Sequence, residues 1–97
     1  MVRLIWSYKA LEDIKEIFEY ISRDSEFYAR NVVKEIRKKV KSIKLFPRRG
    51  RVIPEINDKN YREIFQWNYR IMYKIESQNI YILSIFHGAR DFDNKML

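Results

Sequence analysis

Cysteine is absent from the 97 residues, histidine occurs once, and glycine and proline occur twice each. Each shortage removes a class of answers. Without cysteine there is no disulfide framework and no thiolate nucleophile, and one histidine cannot build a His/Cys zinc centre. Both prolines and one glycine fall between positions 47 and 60, so the chain elsewhere has few breaks and shows no internal repeat, low-complexity segment or domain boundary. No apolar run is long enough to span a bilayer, and the N-terminal Met-Val-Arg-Leu-Ile-Trp-Ser is too short for a secretory leader. A cytoplasmic protein with no membrane partner is expected.

What the chain has in abundance is charge. It is 46% hydrophobic and 34% charged, the balance of one globular core beneath a highly charged surface, and 1–97 reads as a single domain. Twenty Lys and Arg stand against thirteen Asp and Glu, a net charge of +7. That excess favours a polyanionic partner such as nucleic acid, a ribosome or an acidic protein surface, with solubility as the plain alternative.

Hydrophobic spacing supplies the elements. Val2 to Trp6 reads as a first strand, with Ser7 as the cap of a following helix because its hydroxyl can accept an unpaired helix N–H. Ala10, Leu11, Ile14, Ile17, Phe18 and Ile21 form the expected buried stripe, with Glu12, Asp13, Lys15, Glu16 and Glu19 outside. Asp24-Ser25 breaks the pattern and starts a second helix, whose buried positions are Ala29, Val33, Ile36, Val40 and Ile43. Its other face, Arg30, Lys34, Arg37, Lys38, Lys41 and Lys44, is either a solvated surface or a partner contact. So short a break implies an antiparallel helix hairpin.

Residues 47–60 read as a loop, and three strands follow, separated by Trp67-Asn68 and Ser77-Gln78-Asn79. These connections suit hairpins and are too short for parallel crossovers. In the middle strand Tyr69, Ile71, Tyr73 and Ile75 alternate with Arg70, Met72 and Lys74, which puts Arg70 on the face away from the main apolar set. Ile80 to Phe86 is almost wholly apolar, as in a strand covered on both faces. The fold class is therefore α+β: an N-terminal strand, a helix hairpin, then a three-stranded antiparallel meander with both helices on one sheet face. The aromatics Tyr61, Phe65, Trp67, Tyr69, Tyr73 and Tyr81 read as mainly core, with base stacking by Tyr61 or Trp67 the alternative.

Residue types point to phosphate chemistry. Metal-free RNA cleavage needs a base for the 2′-hydroxyl proton, cations around the crowded phosphate and an acid for the leaving oxygen. Glutamate and histidine can be base and acid, and the arginine fork suits a phosphate. Glu55, Arg62, Glu63, Arg70, His87 and Arg90 supply these types, with Arg48, Arg49 and Arg51 on the loop. The plain alternatives are a Glu55 ion pair with a loop arginine, an Arg70–Glu63 pair, and a His87 satisfied by a backbone carbonyl.

Order and spacing add to this. Leu4-Ile-Trp-Ser7 leading into Ala10-Leu-Glu-Asp-Ile14, Pro47-Arg-Arg-Gly-Arg-Val-Ile-Pro-Glu55, Tyr61-Arg-Glu63, Tyr69-Arg-Ile-Met-Tyr73 and Ile82-Leu-Ser-Ile-Phe-His-Gly-Ala-Arg90 together resemble the RelE/ParE family of type II toxin–antitoxin toxins. The resemblance covers nearly the whole chain and implies a RelE-like fold, growth inhibition, plasmid stabilisation and a cognate antitoxin. It implies no metal or organic cofactor. The family divides into ribosome-dependent mRNA endonucleases and poisons of DNA gyrase that do no chemistry. The nuclease branch implies Arg70 and Arg90 at the phosphate, Glu55 as base, His87 as acid, and Arg48, Arg49, Arg51 and Arg62 against RNA or ribosome. The ribosome-dependent mRNA endonuclease is the expected mechanism and the gyrase poison the alternative; the coexistence of Glu55 and His87 favours the first, and two departures count toward the second. The tail after His87 contains no tyrosine, and Arg62 and Ile64 stand where RelE has a lysine pair. An inert relative that only binds its partner is the third reading.

Overall fold

A computed structural model describes residues 2–88. The chain runs β1 (Arg3–Trp6), α1 (Tyr8–Ser22), α2 (Glu26–Leu45), β2 (Arg51–Val52), β3 (Tyr61–Gln66), β4 (Tyr69–Glu76) and β5 (Asn79–His87). The expected α+β architecture is present. Among the described residues, no helix is long and apolar enough to cross a membrane.

Both helices start on serine caps. Ser7 Oγ accepts the Ala10 N–H at 3.0 Å and Ser25 Oγ accepts that of Tyr28 at 3.0 Å, each satisfying one of the N–H groups a helix start leaves unpaired. The Ser7 hydroxyl also donates to the Leu83 carbonyl at 3.0 Å, so the cap fastens α1 to β5. α2 ends just ahead of Pro47, whose ring disfavours helical geometry in the residue before it.

The sheet order is β1-β5-β4-β3-β2. The β3–β4–β5 meander is antiparallel as expected, while β1 joins as a parallel edge strand in the register Leu4↔Ile80 and Trp6↔Ile82. β5 is thus an interior strand between β1 and β4, which accounts for its nearly continuous apolar run. A short strand, β2, lies inside the segment read as loop. Two residues paired to the edge of β3 carry no periodicity for a sequence reading to detect.

Ile14, Val32, Ile36, Val40 and Ile43 from the helices pack against Ile71, Tyr73, Ile80, Ile82 and Ile85 of the sheet. A smaller core of Ile53, Met72 and Phe86, backed by Ile56 and Tyr61, lies on the opposite face beneath the 53–61 segment. Ile82 and Ile85 share the helix-side core although period-two geometry would separate them. The register explains this: Met72 faces Ser84 and Tyr73 faces Ile82, leaving Leu83 as one extra residue, a β-bulge that resets the alternation.

Three helix positions differ from the stripe expected. Val32 rather than Val33 is fully buried, Leu11 is exposed, and Asp13 is buried. Asp13 Oδ2 accepts from Ser84 Oγ and from the Ile85 N–H, both at 2.9 Å, and Lys9 Nζ lies 3.0 Å from its other oxygen. Beyond the last residue of β1, this carboxylate takes over the role of a neighbouring strand for β5.

Candidate functional site

The two-residue turn at Trp67-Asn68 fixes the β3–β4 register, so that Phe65 faces Arg70 and Glu63 faces Met72. Glu63 is therefore the diagonal neighbour of Arg70 on the face away from the helices. Arg51 of β2 faces Glu63 across the next strand pair. Three short elements bring these side chains together, and Pro54-Glu55 closes over them from the segment after β2.

The result is a four-member charge chain. Arg70 is 5% exposed. Its Nε donates to Glu63 Oε1, and its Nη2 donates to Glu55 Oε1 at 2.8 Å. Glu63, 1% exposed, accepts Arg51 Nε on its second oxygen at 2.5 Å. The Arg70 guanidinium also lies 5.9 Å over the Phe86 ring, and that of Arg51 lies 5.9 Å over Phe65. Two carboxylates balance two guanidiniums, as burial demands, because an unpaired ion in this position would carry a desolvation cost of several kcal/mol. Burial pushes the Glu55 carboxyl up. The Arg70 hydrogen bond, one from its own backbone, and the charges of Arg70 and Arg51 outweigh this and hold it below its ordinary value of 4.5.

The remaining loop cations divide. Arg62 is committed to backbone: its Nε donates to the Lys59 carbonyl at 2.9 Å and its Nη1 to those of Gly50 at 3.0 Å and Arg48 at 3.2 Å. Arg48 and Arg49 are exposed, with Arg48 Nη1 3.5 Å from the Lys59 carbonyl. Tyr73, fully buried, fixes the same loop. Its hydroxyl accepts the Gly50 N–H at 3.0 Å and donates to the Pro47 carbonyl at 2.7 Å. Burial raises the Tyr73 phenol above its usual value against the opposing effects of Gly50 and the nearby arginines 62, 49 and 48.

His87 is elsewhere. It faces Tyr69 across the β4–β5 pair, and the two rings meet edge to face with centroids 5.9 Å apart. Tyr69 packs against the helix-side core, whereas Phe86 faces Arg70, so alternation puts His87 and Arg70 on opposite faces of the sheet. His87 lines a cleft with Glu16, Ile17 and Tyr20 of α1, and its Nδ1 is buried with no hydrogen-bond partner among the described residues. Of the residues expected at one phosphate, the structure brings Arg70 and Glu55 together and sets His87 apart from them. Arg90 lies outside the described residues. Among the described residues no group of three or more His, Cys, Asp or Glu is placed to hold a metal ion.

The Arg70–Glu63 pair was one of the alternatives legible in the sequence. The second partner of Glu63, Arg51, was not. The signal available for it was weak, since it depends on the two-residue strand β2. The core assignment of Phe65 and Trp67 also changes, since both are substantially exposed.

No curated protein matches the chain. The fold is similar to that of a solved structure described as a chromosomal ParDE TA system from P. aeruginosa, with a TM-score of 0.74 at 23% identity, covering 90% of this chain and 96% of that one. A family model described as the ParE toxin of the type II toxin–antitoxin system parDE matches residues 4–92. A match over that span, on a chain whose fold agrees, places this protein in the ParE toxin family.

Proposed function

We propose that the chain is a gyrase-poisoning toxin that acts by binding, without chemistry of its own, and that a cognate antitoxin holds it inactive. The observation that carries this reading is the state of Arg70. Its guanidinium is engaged by Glu63 and Glu55, so a scissile phosphate would have to displace a carboxylate to reach it. The acid that a nuclease would need, His87, faces the other side of the sheet. Family membership supports the same branch, and the antitoxin follows from the two-component systems to which such toxins belong.

One observation favours the rival, an mRNA endonuclease using Arg70, Glu55, His87 and Arg90. Glu55 and Arg70 do adjoin, 2.8 Å apart, on a surface rimmed by arginines. A gyrase supercoiling assay with denaturant trapping tests the two. The expected result is loss of supercoiling and accumulation of cleaved DNA. Unaffected gyrase, together with new mRNA ends in toeprints of translating ribosomes, would establish the nuclease instead.

A further inference from the structure

The outer face of α2 concentrates charge that the fold does not balance. Arg30, Lys34, Arg37, Lys38, Lys41 and Lys44 are all exposed. At about 100° per residue they fall within roughly 120° of one helix face, and at about 1.5 Å per residue they extend over about 21 Å. Among the described residues, Arg30 alone of the six has a carboxylate partner, Glu26 at 2.6 Å. The Arg37 guanidinium lies 5.5 Å over the Trp6 ring, against β1. Like charges four apart on a helix, such as Arg30 with Lys34, Lys34 with Lys38 and Arg37 with Lys41, repel and destabilise it. Solubility alone does not require this, since α1 intersperses Lys9 and Lys15 with Glu12, Glu16 and Glu19. The stripe is a cost to folding, so its use lies in what it contacts.

The side chains beside the cations indicate the partner. Five of the six, all but Lys44, line a groove whose other lining residues are Phe18 of α1 and Val33 of α2. Both are half-buried, and Val33 packs against the helix-side core. Among the described residues, none of the exposed large apolar side chains lines this groove. An amphipathic acidic helix docks through apolar anchors, and protein interfaces are poor in lysine. A single nucleic-acid strand gains affinity by stacking bases on aromatic rings, and no exposed ring is offered here. A straight row of lysine and arginine without anchors suits a partner met through phosphates alone, a rigid duplex carrying one charge per about 1.7 Å. The major groove of B-form DNA, about 12 Å wide, lets a helix approach between its two phosphate rows, and the deep, narrow groove of duplex RNA does not.

We infer that the outer face of α2 binds the backbone of double-stranded DNA. The cations contact phosphates, which position the protein on the duplex without reading its sequence. This face lies on the helix side of the sheet, away from the Arg70 network. The inference goes beyond the gyrase reading and does not rest on it, because its test contains no gyrase.

The experiment titrates a fluorescently labelled duplex of about 20 base pairs with the full chain, following anisotropy at salt concentrations from about 50 mM upward. The expected result is binding whose log K falls against log salt with a slope of about −2.7 to −4.5, the value for three to five phosphates. Lys34→Gln combined with Lys41→Gln should make that slope shallower by about 1.8 and weaken binding near 50 mM salt roughly 10- to 200-fold. Glutamine matches lysine in helix propensity and relieves the repulsion, so the Tm of this variant should equal or exceed that of the parent. Arg23→Gln combined with Lys59→Gln removes the same charge away from this face and should leave the slope unchanged. An unchanged slope in the Lys34, Lys41 variant, or an equal loss in the Arg23, Lys59 variant, would overturn the inference. So would no binding at low salt, or tighter binding of a duplex RNA of the same sequence. Equal competition by polyglutamate of matched charge would also overturn it and identify an acidic protein as the partner.

Discussion

Glu63 is the residue on which the open face of the sheet depends. It is buried and holds both Arg51 and Arg70. Removing one partner from a buried ion network leaves the others uncompensated, typically at about 3–5 kcal/mol. Glu63→Gln is expected to lower stability by about that much, read as a fall in the urea midpoint at unchanged m-value. Glu55 behaves differently because its side chain is partly exposed. Its carboxyl is held below 4.5 in the folded chain, so the stabilising effect of its charge is complete at neutral pH and is lost as pH falls through the lowered value. The stability difference between the parent and Glu55→Gln should be constant around pH 7 and narrow in acid, below about pH 4.5. A difference that widened in acid would contradict the assignment of Arg70 as its partner. Arg70 itself is readable in the sequence, since alternation along β4 puts it on the correct face; strand pairing then supplies Glu63, and the segment after β2 supplies Glu55. What alternation cannot report is whether those acids leave the guanidinium available.

At the scale of elements, the informative regions are the ones without periodicity. The capping serines and the hairpin turns follow rules stated over a few residues, and those elements appear where the sequence puts them. The bulge at Leu83 is invisible in a run such as Ile80-Tyr-Ile-Leu-Ser-Ile-Phe86, where apolar residues stand on both sides of any register. Its consequence is large, since it decides which face receives Phe86 and which receives His87. Asp13 was concealed for a similar reason: a charged residue on a helix is read as solvated unless something across the fold requires it. Here the requirement is the Ile85 N–H past the end of β1. Asp13→Ala should cost about 1–3 kcal/mol, since it leaves a buried donor unsatisfied. Hydrogen exchange would show the loss first at Ile85. The 47–50 loop makes a second case. A Cβ on Gly50 would stand 2.5 Å from the Glu63 carbonyl oxygen and 2.6 Å from Tyr73 Oη. The first of these is backbone and cannot rotate away. Gly50→Ala should therefore destabilise the chain by about 1–3 kcal/mol. The accompanying shift should weaken the Tyr73 hydrogen bonds, which a Tyr73→Phe background would reveal as non-additivity.

Across the whole molecule, the sheet separates two sets of polar groups that a linear reading joins. Glu55 and Arg70 lie on the face covered by the 53–61 segment, and His87 lies on the face covered by α1. A metal-free nuclease needs base, phosphate cation and acid around one scissile bond, and groups acting as one unit show strongly non-additive losses. Groups on opposite faces with no shared partner should behave independently. A double-mutant cycle of His87→Ala with Glu55→Gln is therefore expected to give a coupling below about 0.5 kcal/mol in stability. Glu55→Gln combined with Arg51→Ala should couple within a range of about 0.5–3 kcal/mol, because both act on the Glu63–Arg70 pair. The functional counterpart follows from the same separation. In the gyrase-poison reading the His87→Ala, Glu55→Gln double variant still arrests growth and still traps cleaved DNA. If either single substitution abolishes toxicity and the second adds nothing, while the variant protein remains folded, the two residues act together. The binding-only reading would then fail.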